Sequence, residues 1–303
     1  SFTAMGGVIT EDREHRTLSA QGLNIPSNQP SLRYLEAAEP GLFNASGNNE
    51  NYNLLSYIGR LNYSFKGKYL LNATTRTDGS SLFPEENKWA SFSSISGAWV
   101  VSDEDFIGED SFISYLKIRA GWGQIGNDNR NSLPVTARLT TIANDFYTTG
   151  SEGTLAIGGV PGNVGNPNIK WETVEDFNLG VDINLFENKL GINLDVYKRK
   201  TFDMLMPKNI PAYLGSGYDA QWANVGNFEN QGVDLGINFK TQLGNVKSNF
   251  TLNLSHYTAT VSRLADGEAI REGNHQRLNL LAITSEGQTP GLFYGYVTDG
   301  VFQ

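Results

Sequence analysis

Between Phe177 and Val196 the chain alternates in polarity on both sides of a short polar break. Phe177, Leu179, Val181, Ile183 and Leu185 alternate with Asn178, Gly180, Asp182 and Asn184, and past Glu187 to Lys189 the pattern resumes with Leu190, Ile192, Leu194 and Val196. Side chains of a strand point alternately to opposite faces, so this pattern predicts two long strands joined by a tight turn, a ribbon running from Trp171 to Lys200. One face of the ribbon is apolar and the other carries Asn, Asp and Gly. A chain with such a ribbon folds so that each face meets a different solvent, and the rest of the sequence has to supply both.

The same alternation predicts strands at 2–10, 52–65, 69–77, 89–101, 115–126, 223–242 and 247–264, with a further one at 293–302, about nine or ten in all. Residues 11–50, 127–169, 207–222 and 265–289 have no period of 2 and read as irregular loops rich in Gly, Asn, Pro and Ser. Connections alternate along the chain, tight at 66–67, 187–189 and 243–246, moderate and acidic at 102–114, and long elsewhere, apart from a middling one at 79–88. In an up-and-down meander every second connection lies at the same end, so one end has mostly turns and the other mostly loops. Outer-membrane barrels have this asymmetry, with short periplasmic turns and long extracellular loops.

Several of the expected strands exceed the roughly 9–11 residues that cross a bilayer at a tilt. The fold class that follows is all-β, an antiparallel up-and-down transmembrane β-barrel present in part, its apolar rows facing lipid and its Asn/Asp/Gly rows lining the interior. Periodicity leaves a second architecture open. In a soluble or surface-attached β-sandwich, an adhesin or glycan-binding module, the apolar faces would meet each other. A mean hydropathy of −0.34 does not decide between them, because a barrel strand spends every second residue on a polar lumen. Trp89, Trp99, Trp122, Trp171 and Trp222 fall near strand ends or edges and read as girdle or packing residues ahead of sugar-stacking platforms.

No chemistry of a catalytic kind is legible. The chain has no cysteine, and no zinc-protease, nucleophile-elbow or phosphate-loop motif occurs. His15, His256 and His275 are isolated, so no catalytic, cofactor-binding or metal residue is assigned, and the chain is not read as an enzyme. The net charge of −9 argues against a nucleic-acid partner. Asp103, Glu104, Asp105, Glu109 and Asp110 read as a solvated turn, and 126–132 (GNDNRNS) has oxygen ligands without calcium-loop spacing. Solute contacts are expected from the polar face and the long loops, with Asn178, Asp182, Asn184, Asn193, Asp195, Asp234 and Asn238 as wall residues; individual substrate-binding residues are unknown at this stage.

Five strings extend the reading: RTDGSSLFPEENKWASFSSISGAWVVSDEDF, LKIRAGWGQIGND, NPNIKWETVEDFNLGVDINLFENKLGINLDVYKRKTFDML, NVGNFENQGVDLGINF and GLFYGYVTDGVFQ. In this order and spacing they resemble landmarks of the SusC/RagA family of TonB-linked outer-membrane proteins, from Arg76 to Gln303. The resemblance implies a barrel in the outer membrane of Bacteroidetes-type bacteria that imports large nutrients, oligosaccharides foremost and in some members peptides. It also implies energy from the TonB complex, engaged through an N-terminal region, and a SusD-like surface lipoprotein as lid. No cofactor is implied. Signal peptide, TonB box, plug domain and a terminal aromatic strand are not found, so residues 1–303 are expected to be one part of a barrel domain.

Overall fold

The computed structural model describes residues 1–25, 29–32, 34–39, 41, 43–108, 111–128, 139–149, 154–161, 165–209, 220–275, 278–295 and 300. Nine strands form one antiparallel sheet: β1 (Phe2–Gly22), β2 (Phe43–Phe65), β3 (Tyr69–Ser80), β4 (Trp89–Val100), β5 (Ile113–Asn127), β8 (Glu172–Leu185), β9 (Leu190–Asn209), β10 (Ala220–Leu243) and β11 (Val246–Leu264). Sequence neighbours pair throughout, and the connection from β5 to β8 contains a separate ladder of β6 (Leu139–Thr149) and β7 (Thr154–Pro161). A small sheet of β12 (Ile270–His275), β13 (Leu278–Thr284) and β14 (Leu292–Phe293) follows.

The two ends of the sheet differ as the sequence predicts. Residues 66–68, 101–112, 186–189 and 244–245 connect strands at one end, and all other connections lie at the opposite end. The tight turns use left-handed backbone: Lys66 and Gly67 have φ of 51° and 74°, Phe186 to Asn188 lie at 55–62°, and Gly244 at 61°. That region is uncommon for residues other than glycine, and three in succession wind β8 straight back into β9.

Expectations about all four long loops are corrected in part. Residues 11–22 and 43–50 are not irregular, because β1 and β2 pair without a register break from Phe2 opposite Tyr63 to Gly22 opposite Phe43, while the described part of the connection between them is a loop with short 3-10 turns at Pro30–Leu32 and Leu35–Ala37. The upper part of this ribbon is exposed on both faces, so neither face needs an apolar row and the period-2 signal vanishes. Residues 127–169 contain β6 and β7, and 265–289 contain β12 and β13. The loop expected at 207–222 shrinks because β9 runs to Asn209 and β10 begins at Ala220, with 210–219 outside the described residues. Of the strand expected at 293–302, Phe293 ends β14, while 296–299 and 301–303 lie outside the described residues.

Register turns the alternation into two continuous surfaces. Phe65, Tyr69, Trp99, Ile118, Val181, Leu194, Leu235 and Leu254 stand opposite one another in turn from β2 to β11. Among the described residues nothing covers this row, and Leu194, Val196 and Leu254 are 39%, 47% and 53% exposed. A sandwich would bury these side chains against a second sheet. Here they form an uncovered apolar belt, the outer face of a barrel wall.

Aromatic rows border the belt. At the short-turn end Tyr69 stacks on Trp99 with centroids 6.4 Å apart, beside Phe65, and Phe112 lies 6.1 Å from Phe186. At the other end Tyr57 stacks on Trp89 at 6.1 Å, and Trp122 stands opposite Phe177. Amphipathic rings at both margins are what a membrane interface selects.

Candidate functional site

The inner face is a wall on which long side chains lie flat because glycine makes room. Arg119, Gly180 and Asp195 are opposite one another on β5, β8 and β9. A Cβ on Gly180 would stand 2.6 Å from the Arg119 guanidinium carbon and 2.7 Å from an Asp195 oxygen. With no Cβ there, Arg119 reaches across β8. Its Nε and Nη2 donate to the Asp182 carboxylate at 3.0 and 3.1 Å, and Nη2 donates to Asp195 at 2.8 Å. Asn193 donates to Asp182 at 2.8 Å. Tyr197 likewise lies across Gly232, where a Cβ would come within 2.6 Å of the hydroxyl.

The other expected wall residues fall on this face. Asn178 is opposite Gly121 and Tyr197, Asn184 opposite Tyr115 and Gly191, and Asp234 opposite Asp195 and Ser255. Asn238 donates to Asn249 at 2.9 Å and Thr251 at 3.0 Å. Arg119, Asp182, Asn193 and Asp195, and separately Asn238, Asn249 and Thr251, are thus joined across strands into a lining that lies along the wall.

Toward the long-loop end the inner face carries a compact cluster that sequence reasoning missed. Tyr52, Leu54, Phe83, Phe92, Ile169, Trp171 and Leu205 are buried together, with Trp222 packed against them. The Trp171 ring is 4.9 Å from Phe83 and 5.7 Å from Phe92, edge-on to the latter, and its indole N–H donates to the Lys88 carbonyl at 3.2 Å. Phe92 lies over Gly126, whose Cβ would stand 2.0 Å from the ring. Trp171 and Trp222 therefore pack the inner rim, while Trp89, Trp99 and Trp122 belong to the girdle.

Beside this cluster is a concavity of about 400 Å3 lined by Arg60, Thr74, Arg76, Asp78, Asp128 and Trp171. Arg76 donates to Asp78 at 2.6 Å and to Ser56 at 3.0 Å, while Arg60 donates to Thr74 at 3.2 Å. Asp128, the acid of the 126–132 segment, accepts from the Tyr52 hydroxyl at 2.7 Å and from Ser80 at 3.2 Å. The rest of that segment from 129 on lies outside the described residues. A basin with an aromatic wall and fixed guanidinium, carboxylate and hydroxyl groups is suited to a polar solute with several hydroxyl or amide groups.

At the short-turn end Glu104 is more than part of a solvated turn. It accepts from the Tyr69 hydroxyl at 2.6 Å, the Trp99 indole at 3.0 Å and the Lys68 ammonium at 3.0 Å. These contacts, that with Tyr69 foremost, hold its carboxyl down at about 2. Its neighbour Asp105 is fully exposed, and 109–110 lie outside the described residues. The signal in the sequence is indirect: Tyr69 and Trp99, each with a polar tip, come opposite one another only when β3 and β4 are in register. His15 and His256 are exposed, and the side chain of His275 lies outside the described residues.

An uncovered apolar belt edged by aromatics, backed by a polar wall and ended by turns on one side and loops on the other, defines an outer-membrane β-barrel wall. The chain belongs to the TonB-dependent receptor family: residues 6–296 match the model of the TonB dependent receptor-like β-barrel. Its place is accordingly the outer membrane. It is 31% identical to TonB-dependent receptor P3 of Formosa agariphila, covering 100% of this chain and 30% of that protein. With TonB-dependent receptor SusC of Bacteroides thetaiotaomicron it is 35% identical over 67% of this chain and 20% of SusC. The solved RagAB peptide transporter aligns over 96% of this chain and 31% of that one, with 26% identity and a TM-score of 0.82. The chain thus spans under a third of the length of the relatives it matches.

Proposed function

We propose that this chain is part of the wall of a TonB-dependent importer that carries large polar nutrients, oligosaccharides before peptides, through the outer membrane. The observation that carries the reading is the opposition of the two faces: a belt fitted to lipid and, behind it, a lining held flat by Gly180 and Gly232. Such a wall keeps a wide interior free for a solute. Relatives support nutrient import of this kind, SusC on one side and a peptide transporter on the other. The preference for oligosaccharides rests on the basin of Arg60, Thr74, Arg76 and Asp78 beside Trp171, where donors and acceptors alternate as vicinal hydroxyls require.

In this reading a SusD-like lipoprotein sits at the long-loop end and TonB acts from the short-turn end, which faces the periplasm. The assay is uptake of labelled oligosaccharides and of labelled peptides by cells expressing the whole receptor with its neighbouring lipoprotein. Oligosaccharide uptake should depend on both proteins, and Arg76→Ala should lower it about tenfold through loss of a charged hydrogen bond to solute. Uptake of peptides alone would overturn the substrate assignment, and uptake indifferent to the lipoprotein would overturn the partner.

A further inference from the structure

On its outer face the sheet changes chemistry above the belt. On β3 and β4 the belt row of Ala73 and Ile95 gives way, further from the short turns, to Thr75 opposite Ser93 and then to Thr77 opposite Ser91. These four side chains point outward, because they alternate with Arg76 and Phe92 of the inner face. Their hydroxyls pair across the strands, Thr75 with Ser93 at 3.1 Å and Thr77 with Ser91 at 2.9 Å. Each pair uses one of its two hydroxyl hydrogens, so a donor and several lone pairs are left facing outward. Hydrocarbon would leave those groups unsatisfied.

An aromatic platform borders this lane of hydroxyls. Trp89 lies over Gly79, where a Cβ would stand 2.8 Å from its ring carbons, and it stacks with Tyr57. Both rings are about half exposed. The two hydroxyl rows continue through Tyr57 and Gly59 on β2 to Val8 and Gly6 on β1, and no charged side chain stands in either. A phosphate seated there would meet no cation. A pyranose has what the surface lacks, polarised C–H bonds for the negative face of an indole and hydroxyls for the lane beside it. The row of Ala73 and Ile95 is continuous with the lipid-facing belt, so hydrocarbon lies directly beneath a sugar bound here. That position fits a sugar carried on acyl chains.

We infer that this patch binds the uncharged sugar headgroup of a glycolipid in the outer leaflet. The inference rests on the orientation proposed above, long loops outward, and not on the nature of the imported solute. It is tested on the purified whole receptor in lauryldimethylamine oxide, a detergent without sugar, with tritiated digalactosyl diacylglycerol as probe and co-elution in gel filtration as readout. The wild type should retain this lipid about tenfold more strongly than phosphatidylglycerol with the same acyl chains. The double variant Thr77→Val, Ser91→Ala removes one hydroxyl pair with little change in volume and should bind about tenfold more weakly. Trp89→Leu should weaken retention likewise, while Thr241→Val on the outer face at the short-turn end should leave it unchanged. Heat-modifiable gel migration verifies that each variant is a folded barrel. Equal retention of the two lipids by the wild type, undiminished retention by either the hydroxyl or the Trp89 variant, or displacement by free digalactosyl glycerol at the lipid's own concentration would each overturn the proposal. Because no transport is measured, failure here leaves the importer reading standing, and failure of uptake leaves this one.

Discussion

Leu194 and Asp195 are consecutive in the chain and answer to different rules. On the outer face Leu194 has only to be apolar, because the hydrocarbon it meets has no fixed shape; its neighbours Val181 and Leu235 repeat the same chemistry without depending on its outline. On the inner face Asp195 receives one particular guanidinium, which arrives only because Gly180 lies between. The outer surface constrains hydrophobicity and tolerates shape, and the inner surface constrains shape and pairing. Substitutions that exchange one constraint for the other separate the two faces.

The largest contrast is between tryptophans. Trp171→Ala should cost about 3–5 kcal/mol, since it empties a buried cluster that cannot collapse around the loss. Trp89→Ala, on a ring 45% exposed at the belt margin, should cost about 1 kcal/mol through loss of its stacking on Tyr57. Denaturant titration of the whole receptor in lipid vesicles measures both, and equal costs would mean that the inner cluster is not a packed core. Next come charges on the belt. Val181→Arg or Leu194→Arg should impair insertion by about 2–4 kcal/mol near the membrane midplane. Asn184→Arg on the inner face should stay within about 0.5 kcal/mol. Equal tolerance of the two faces in the same titration would break the assignment of the belt to lipid.

A smaller effect tests fit alone. Gly126→Ala adds one methyl group where Phe92 already lies, and should cost about 1–3 kcal/mol by overpacking. Gly121→Ala, where the new Cβ meets Ser96 at an ordinary 3.6 Å, should be close to neutral. If Phe92→Leu is introduced with Gly126→Ala, part of the cost should return, and a double-mutant cycle reads that coupling directly. Additivity of the two changes would show that the ring and the glycine do not constrain each other.

What the sequence made legible follows from the same contrast. Where the faces of a strand meet different solvents, as from Phe177 to Val196, alternation located the strand, its direction and its tight turn, with ends off by up to three residues at β3 and β10. Where both faces meet water, as in the upper part of β1 with Glu11, Asp12, Arg13 and Glu14, the strand is as regular in hydrogen bonding and has no signature. The wall residues Asp182, Asn193, Asp195 and Asn238 were legible as a polar row. Their pairing was not, because it depends on glycines in neighbouring strands that come opposite only in register. Trp171 and Phe92 are 79 positions apart in numbering, and no local pattern indicates that they touch.

Glu104 sharpens the comparison at the margin where the two faces and the short-turn end meet. Its carboxylate joins the girdle residues Tyr69 and Trp99 to Lys68 of the turn, so it depends on partners as the inner wall does, though two of them belong to the outer belt. Because its carboxyl is held down at about 2, against an ordinary value near 4.5, the folded form binds a proton less readily than the unfolded one. Its contribution to stability is therefore complete above about pH 4.5 and declines as pH falls toward 2, where the folded state also takes up the proton. The difference in unfolding midpoint between wild type and Glu104→Gln should then be constant from neutral pH down to about 5 and should shrink below that. The matching change Asp105→Asn removes a fully exposed carboxylate beside it and should give only a small difference at neutral pH. A Glu104→Gln difference that did not change on acidification would mean that the girdle is held by ring packing alone, and that the polar tips of Tyr69 and Trp99 are satisfied equally well by water.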